Sequence, residues 1–322
     1  MRRCCYCYEA LDAHDTDMHV RCSRAFYGQP QPPLFLYTAD EIDALAEQTV
    51  RTHTTIPGVQ PKLSLKLEGL KGRHGPGRLT LVGVLGGYIV KPPSAQYGEL
   101  PEIEDLTMHL AADAGIEVVP HALIRMGSGA LAYISRRIDR TDYGKLHMED
   151  LCQITGKLTE QKYRGSHEQI AKAIIAHSEA PMLDVVKFCE RVLFSFVCGN
   201  ADMHLKNYSL IQRVGRAFVL APAYDLVATQ LVHVSDDEDC ALTLNGKKKG
   251  IRRKDVEAAF TTMGLSTRQQ LNIFSRIERS TERWYTRIRS SFVSDATKEM
   301  FVQLIHERLD RLGMKSVQRP TQ

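Results

Sequence analysis

The sequence predicts an α+β protein whose first half is rich in strands and whose second half is rich in helices. Alternating apolar and polar residues in "LSLKLEG", "RLTLVGVLGGYIVK" and "EVVPHALIRMGSGALAYISRRIDR" predict a mostly antiparallel sheet, with one helix in "PEIEDLTMHLAADAG". After residue 139 the spacing becomes helical, in "MEDLCQITG", "HEQIAKAIIAHS", "MLDVVKFCERVLFSFVCG" and most of residues 255–313. We therefore expect a sheet-rich lobe in residues 36–138 and a helical lobe in residues 139–315, preceded by a small Cys/His module in residues 1–30.

Composition and charge exclude several classes of protein. The apolar fraction of 43% and the charged fraction of 25% are those of an ordinary globular chain, and a net charge of +4 is too small to indicate nucleic-acid binding by itself. No apolar run approaches the roughly 20 residues that a membrane span requires, and the first residues lack the apolar core of a secretory signal. We therefore expect a cytoplasmic protein with no membrane contact, whose cysteines are thiols or metal ligands.

A cluster of polar residues lies between two apolar segments in "FVCGNADMHLKNYSLI", residues 196–211. Gly199 can adopt the left-handed conformation that ends the preceding helix, and buried segments hold the loop at both ends. Asp202 and Asn207 are five residues apart, and Asp225 follows a predicted hairpin in "YSLIQRVGRAFVLAPAYD". This order and spacing are those of protein kinases.

The chemistry of phosphoryl transfer explains this spacing. A loop Asp orients or accepts the proton of the substrate hydroxyl, whereas an Asn and a second Asp give hard oxygen ligands to Mg²⁺. We expect Asp202 in the first role and Asn207 and Asp225 in the second. Lys206 could reach the transferred phosphate, and His204 could brace the loop. The alternative is a polar turn whose side chains bond only to their own backbone.

The first half of the chain supplies a candidate cation for the phosphates. Lys91 ends the predicted strand in "YIVKPP", and Glu104 follows beside the apolar stripe of the predicted helix, where we expect it to be half-buried. A Lys91–Glu104 pair would orient the lysine toward the α- and β-phosphates, and a solvated strand end is the alternative. We expect Glu102 and Asp105 to be first-turn acids that interact with the helix dipole.

The segment "TTIPGVQPK" lies where a phosphate-covering loop is expected, before the first pair of strands. It is not a G-x-G-x-x-G motif, so the sequence pattern alone does not identify a nucleotide loop. Gly58 would let the backbone approach a phosphate, and Lys62 would add positive charge.

Four soft metal ligands lie in two close pairs near the amino terminus. Cys4 and Cys7 form the first pair, and His19 and Cys22 form the second, a spacing typical of a structural zinc site. Cys5 could replace one of the neighbouring cysteines as a ligand. A reduced Cys-rich tail and a redox pair are the alternatives.

The chain resembles the HipA-type toxin kinases of bacterial toxin–antitoxin systems over residues 52–230. The stretches that carry the resemblance are "IPGVQPKLSL", "YIVKP", "EIEDLTMHLAADAGI", "ISRRIDR", "MEDLCQ", "GNADMHLKN" and "LAPAYDL". The resemblance implies a two-lobed, kinase-like fold with Asp202 as catalytic base beside His204 and Lys206. It implies a nucleotide and Mg²⁺ site formed by Pro57, Gly58, Val59, Gln60, Lys62, Lys91, Glu104, Arg136, Ile138, Asn207, Tyr224 and Asp225. Residues 136–138 would be the adenine hinge, although Arg137 and Asp139 could equally be an ion pair at the strand end.

The resemblance also implies an activity and partners. The family members are Mg-ATP-dependent serine/threonine protein kinases that act on the translation machinery, typically on an aminoacyl-tRNA synthetase. The chain is similar to the short HipT-like form, in which a small HipS-like protein and a HipB-like DNA-binding antitoxin are the partners, so that DNA is contacted only indirectly. Thr55 occupies the position of an autophosphorylated serine, and an ordinary loop threonine is the alternative.

Two other functions remain open from the sequence. One is a small-molecule phosphotransferase of kinase-like fold, and the other is a non-catalytic, nucleotide-binding regulatory subunit. An acidic run followed by a basic run in residues 235–254 is either a solvated loop or a surface that docks a partner.

Overall fold

The computed structural model describes residues 2–38, 41–42, 62–68, 76–82, 86–141, 144–212, 215, 217–233 and 237–315. The chain divides into two compact units. The first comprises Met1–Asp105, Val119–Ile138 and Ser290–Val293, and the second comprises Leu106–Val118, Asp139–Arg289 and Ser294–Gln322. The domain boundaries expected from the sequence stay a prediction. Within the described ranges, no helix combines the length and the apolar character that a membrane crossing requires.

Helices and strands follow the order expected from the sequence. The described α-helices are α1 (Val20–Tyr27), α2 (Leu100–Asp113), α3 (Leu151–Ile154), α4 (His167–His177), α5 (Pro181–Val197), α6 (Arg253–Thr262), α7 (Thr267–Ser290) and α8 (Asp295–Arg311). The described strands are β1 (Leu63–Glu68), β2 (Arg78–Leu81), β3 (Tyr88–Lys91), β4 (His121–Arg125), β5 (Leu131–Arg136), β6 (Arg140–Thr141), β7 (Gly144–Lys145), β8 (Met148–Asp150), β9 (Ser209–Gln212) and β10 (Phe218–Leu220). Short 3₁₀ turns cover Thr159–Gln161, Leu205–Asn207 and Thr229–Leu231.

The first unit is built on a five-stranded antiparallel sheet in the order β2-β1-β3-β5-β4. The β1–β3 pairing is close beside Gly86, because a Cβ atom there would lie 2.4 Å from the Leu65 carbonyl oxygen. The amino-terminal segment shares the core of this sheet: Phe26 packs 5.9 Å from the Tyr88 ring, and Leu123 donates its backbone N–H to the Cys5 carbonyl at 2.9 Å. Residues 1–30 therefore have no separate core of their own.

The second unit is mainly helical around α5, most of whose residues are buried. Gly199 has a φ of +67°, the left-handed conformation expected where this helix ends. A small antiparallel sheet in the order β10-β9-β8 contains the predicted hairpin. The segment "MEDLCQITG" is helical only in its second part, because Met148–Asp150 pairs with β9 and the Asp150 side chain then caps α3.

In the described part of the acidic and basic runs, residues 237–254, charged side chains pair with each other and with the rest of the second unit. Lys249 contacts Asp237, Lys248 contacts Glu238 at 3.2 Å, and Lys247 contacts Asp255 at 2.7 Å. Asp239 is buried and accepts hydrogen bonds from two arginines of α8, Arg308 and Arg311. These charges therefore stabilise the fold of this segment locally.

Candidate functional site

The loop that follows α5 is held in place by backbone hydrogen bonds. Gln230 donates its N–H to the Gly199 carbonyl at 3.1 Å, and Ala201 donates its N–H to Thr229 Oγ1 at 2.9 Å. Asn200 is buried, and its Oδ1 accepts a hydrogen bond from the Asp202 N–H at 3.3 Å. The loop is thus fixed on both sides before Asp202, as a site that needs accurate geometry requires.

Asn207 is oriented by the backbone of Asp202. Its Nδ2 donates a hydrogen bond to the Asp202 carbonyl oxygen at 3.1 Å, and the residue is 5% exposed. Because Nδ2 must be the donor to a carbonyl, the amide orientation is defined and Oδ1 points away from this bond. Asn207 therefore presents an oxygen of the kind that Mg²⁺ prefers, five residues after Asp202.

Asp225 has an unusual backbone conformation, with a φ of +59°. A non-glycine residue in this region costs free energy and persists only where neighbours enforce it, which occurs frequently at functional sites. Ala223 supplies one restraint through its N–H bond to the Glu117 carbonyl at 2.7 Å. Tyr224 supplies another, because its hydroxyl donates to the Lys206 carbonyl at 3.1 Å and accepts from Ser209. The hairpin thus connects Asp225 to the loop of Asn207.

The structure identifies Tyr163 as a contact of Asp202, which the sequence did not indicate. Its hydroxyl donates to Asp202 Oδ1 at 2.8 Å, and its ring packs edge-on against His204 with ring centroids 5.1 Å apart. Burial and the Asp202 carboxylate raise the pKa of the Tyr163 phenol, so the hydroxyl remains a donor. The two residues are 39 positions apart, and no local pattern in "EQKYRG" predicts the contact.

His204 and Lys206 are both held by neighbouring groups. His204 is 6% exposed, and burial lowers its pKa, which favours the neutral ring; its bracing role stays a prediction. Lys206 Nζ bonds to Asp150 Oδ2 at 2.6 Å, in the segment "MEDLCQ". Asp150 therefore positions Lys206, and this partner was not expected from the sequence.

Lys91 and Glu104 form a buried ion pair within the first unit. Lys91 Nζ lies 2.6 Å from Glu104 Oε1, and the side chains are 6% and 1% exposed. Lys91 is opposite Tyr133 in the β3–β5 register, and its Nζ lies 5.5 Å from the centre of that ring. Glu104 was expected to be half-buried, but its side chain is fully buried. It extends from α2 toward the sheet, where Lys91 of β3 compensates its charge.

The expectation of a first-turn acid is wrong for Asp105, whereas Glu102 does lie in the first turn of α2. Asp105 is fully buried, not a first-turn acid, and its two carboxylate oxygens accept hydrogen bonds from the Tyr8 hydroxyl and from His121 Nδ1, each at 2.7 Å. Burial raises the pKa of Glu102 to about 7. The apolar stripe alone could not reveal these contacts, because Tyr8 is 97 residues from Asp105 in sequence and His121 lies beyond the end of α2.

The remaining nucleotide-site residues are only partly described. Pro57, Gly58, Val59 and Gln60, as well as Thr55, lie outside the described residues, and Lys62 is exposed immediately before β1. In the expected hinge, Arg136 donates its N–H to the Pro120 carbonyl and Arg137 donates to the Gly87 carbonyl, each at 2.9 Å. These two backbone donors already serve the sheet, which leaves the Ile138 backbone as the candidate donor for adenine.

The structure brings together the four metal ligands expected near the amino terminus. The ligand atoms of Cys4, Cys7, His19 and Cys22 all lie within 4.8 Å of one another, and Cys5 is not part of this group. His19 Nε2 bonds to the Ala10 carbonyl at 2.9 Å, so Nε2 carries a proton and Nδ1, which faces Cys7 and Cys22, is the nitrogen directed toward a metal. This is a candidate metal site.

Comparison with known proteins assigns the chain a family and a fold. The family model described as the HipA-like C-terminal domain matches residues 54–285. Y4dM of Sinorhizobium fredii, designated a kinase, is 36% identical over 209 residues, which are 61% of this chain and 49% of that protein. The serine/threonine-protein kinase toxin HipA of Shewanella oneidensis is 27% identical over 211 residues, which are 57% of this chain and 47% of that protein.

A solved structure confirms the fold class expected from the sequence. A chain in the complex of HipA, HipB and operator DNA from Shewanella oneidensis matches with a TM-score of 0.64 and 21% identity, covering 80% of this chain and 65% of that chain. The kinase-like α+β fold with a curled antiparallel sheet is therefore shown. The chain spans about half the length of the curated relatives that it matches.

Proposed function

Because the chain belongs to the HipA-like C-terminal domain family, we propose that it is a Mg-ATP-dependent serine/threonine protein kinase and the toxin of a bacterial type II toxin–antitoxin pair. The observation that carries the proposal is the hydrogen bond from Asn207 Nδ2 to the Asp202 carbonyl. This bond ties the candidate metal ligand to the candidate base and leaves Oδ1 outside the bond. A polar turn whose side chains bond only to their own backbone does not account for the bond from the Tyr163 hydroxyl to Asp202 Oδ1 or for that from Lys206 to Asp150.

The proposed roles follow from the groups in each unit. Asp202 would accept the proton of the substrate hydroxyl, and the Tyr163 hydroxyl would hold the carboxylate in one orientation. Asn207 and Asp225 would hold Mg²⁺, which when bound neutralises charge on the nucleotide phosphates. Lys91, oriented by Glu104, would bind the α- and β-phosphates. Asp150 would limit the reach of Lys206 toward the transferred phosphate.

Substrate and partners are proposed from the family alone. The substrate would be a protein of the translation machinery, such as an aminoacyl-tRNA synthetase. A HipB-like antitoxin is supported by the complex in which the similar HipA was solved, and a small HipS-like protein is proposed by analogy with the short family members. Thr55 remains the proposed site of autophosphorylation.

We further propose that the Cys/His site holds a structural zinc ion. Three sulfurs and one imidazole nitrogen form the closed set of four ligands typical of structural sites. Zn–S distances of about 2.3 Å imply ligand separations of about 3.8 Å in a tetrahedron, a spacing that this arrangement can accommodate. With four protein ligands no position is left for substrate, so the ion would not take part in catalysis.

Incubation with radiolabelled ATP and Mg²⁺, alone and with bacterial lysate, tests the kinase proposal. We expect the wild type to label itself or one lysate protein and Asp202→Asn to label neither. Asp237→Asn is the matched control, since it makes the same change at an acidic residue that is exposed and pairs with Lys249. We expect this control to keep full labelling. Mass spectrometry of the labelled bands would then test Thr55 and identify the target.

The other outcomes separate the alternatives. Phosphate transfer to a metabolite with no labelled protein would support a small-molecule phosphotransferase. Binding of ATP–Mg²⁺ by unphosphorylated wild type without transfer would support a non-catalytic regulatory subunit. Equal labelling by wild type and Asp202→Asn would overturn the assignment of the base.

A further inference from the structure

The Cys/His site lies at the end of a hydrogen-bonded path that reaches the lysine pair. All the residues of this path belong to the first unit. Tyr8 immediately follows the ligand Cys7, and its ring and hydroxyl are buried, with 1% exposure. Its hydroxyl donates to Asp105, the neighbour of Glu104 on α2. The metal ligands and the partner of Lys91 are thus separated by only two side chains.

The backbone of Tyr8 depends on the turn that presents the cysteines. Tyr8 donates its N–H to the Cys4 carbonyl at 2.9 Å, and Arg3 donates to the Tyr8 carbonyl at 3.0 Å. Its φ is +66°, an unfavourable value for a tyrosine, which persists only while the surrounding structure enforces it. An ion bound by both Cys4 and Cys7 would fix this turn, and with it the direction of the Tyr8 side chain.

The ion would also join this turn to a second segment. Cys22 lies on α1, and His19 is the N-cap residue of that helix. Without a metal, hydrogen bonds such as that from Cys5 to the Asp17 carbonyl at 2.8 Å hold the two segments together. Metal ligation would hold the two segments together much more strongly than these hydrogen bonds. Loss of the metal would therefore loosen the turn that carries Cys4 and Cys7 before the rest of the first unit.

Asp105 fixes the rotation of α2 about its axis. Successive residues of a helix point about 100° apart, so Glu104 and Asp105 anchor two different sides of α2. Glu104 bonds to Lys91 of β3, whereas Asp105 bonds to Tyr8 and to His121 of β4. A rotation that withdrew Glu104 from Lys91 would also have to break the buried bonds of Asp105, which are costly to leave unmade.

We propose that zinc bound by Cys4, Cys7, His19 and Cys22 supports the nucleotide lysine, with Tyr8 as the positioning residue that transmits this support through Asp105 to Glu104. This rests on the proposed kinase function, because it assigns Lys91 to the nucleotide. The amino-terminal segment is then a metal-dependent element that keeps the Lys91–Glu104 pair formed. Loss of the ion would weaken nucleotide binding although none of the residues that bind the ion contacts the nucleotide in this proposal.

Two tyrosine variants of the full chain test this path. Tyr8→Phe removes only the hydroxyl that bonds to Asp105. Tyr27→Phe is the matched control, since its hydroxyl is also buried in the same segment and has no hydrogen-bond partner among the described residues. We expect both variants to retain one zinc ion per chain. We expect Tyr8→Phe to bind ATP–Mg²⁺ about fivefold to tenfold more weakly than wild type, and Tyr27→Phe to bind it equally well, by calorimetry.

Removal of zinc from wild type and from Tyr8→Phe gives a double-perturbation cycle that tests whether both changes act on one path. A zinc chelator should weaken ATP–Mg²⁺ binding by wild type by at least as much as Tyr8→Phe does, and should have a smaller effect on Tyr8→Phe, because both changes act on one path. Equal effects of the chelator on wild type and on Tyr8→Phe would overturn the path. So would equal affinities of Tyr8→Phe and Tyr27→Phe, or the absence of zinc from the purified chain.

Hydrogen exchange of residues 100–105 distinguishes this proposal from the proposed function. If wild type binds no ATP–Mg²⁺, the kinase proposal fails. The exchange rates then still report whether zinc removal and Tyr8→Phe loosen the start of α2, as the path requires. Unchanged exchange in both cases would overturn the metal–Tyr8–Asp105 path regardless of any activity.

Discussion

Lys91 and Glu104 are a charged pair that has left water almost completely, with 6% and 1% exposed side chains. Removing ions from water is expensive, so such a pair adds little net stability over an apolar pair of similar volume. Leaving one partner alone is much worse, because the remaining charge is then buried without compensation. A pair of this kind in a strand and a helix therefore indicates a requirement beyond stability, as binding of phosphate would be.

Single and double variants of this pair separate stability from function. We expect Lys91→Met or Glu104→Leu alone to lower the free energy of unfolding by about 3–5 kcal/mol, measured by urea titration. The double variant should recover most of this loss, since no isolated charge remains. All three should fail to label protein with ATP. A double variant that keeps activity would show that Lys91 is not the phosphate ligand.

Tyr163 offers a second test at the scale of one residue. Tyr163→Phe removes the hydroxyl that donates to Asp202 Oδ1 and keeps the ring that packs on His204. We expect kcat to fall about tenfold with little change in KM for ATP, because the carboxylate loses a fixed orientation while the nucleotide ligands are unaffected. An unchanged kcat would show that the bond has no part in positioning Asp202. Tyr97→Phe, outside the second unit, serves as the control.

Elements with local signals were predictable, whereas contacts distant in sequence were not. The apolar spacing of α5, the stop at Gly199 and the alternation of β9 and β10 lie within short stretches, so the loop of Asp202 and Asn207 could be placed from sequence. Tyr163 and Asp105 acquire their roles from partners 39 and 97 residues away. A side chain's spacing along its own helix or loop carries no information about such partners.

The start of α4 should make stability depend on pH. His167 is 2% exposed, its Nδ1–H donates to the Thr243 carbonyl at 3.2 Å, and burial lowers its pKa. The unfolded chain therefore binds a proton near the ordinary histidine value of about 6.5, while the folded chain does not. The stability contributed by the neutral ring is present above that value and is lost as the pH falls below it.

Thermal unfolding from about pH 7.5 to about pH 5 measures this dependence. We expect Tm to fall on acidification in the wild type and to fall less steeply in His167→Gln. His177→Gln, at the exposed end of the same helix, should keep the slope of the wild type. A slope in His167→Gln equal to that of the wild type would assign the pH dependence to other groups.

At the scale of the whole molecule, the fluorescence of the only tryptophan reports on the second unit, because Trp284 belongs to that unit and not to the first. Trp284 is fully buried, donates its Nε1–H to the Leu110 carbonyl at 2.8 Å and packs 5.6 Å from the Phe194 ring. The candidate zinc site lies in the first unit. The free energy of binding a structural ion contributes to the folding free energy of the segments that the ion joins.

Zinc removal should therefore change the first unit before it changes the tryptophan signal. We expect a chelator to speed hydrogen exchange in residues 2–27 while Trp284 emission stays at its native wavelength. In Cys22→Ser the chelator should have no further effect. A chelator-induced shift of Trp284 emission that coincides with the change in exchange would show that the two units unfold as one.

The close approach at Gly86 has a consequence for sequence variation. Every other amino acid carries a Cβ atom, and that atom would meet the Leu65 carbonyl oxygen, which cannot swing aside as a side chain could. In a saturation library the Gly86 codon should therefore tolerate synonymous changes only, with alanine as damaging as bulkier residues. At Gly87, where an added Cβ atom meets nothing within 4 Å, small replacements should survive. Such a contrast between adjacent codons would be a genetic signature of the β1–β3 pairing that carries Lys91.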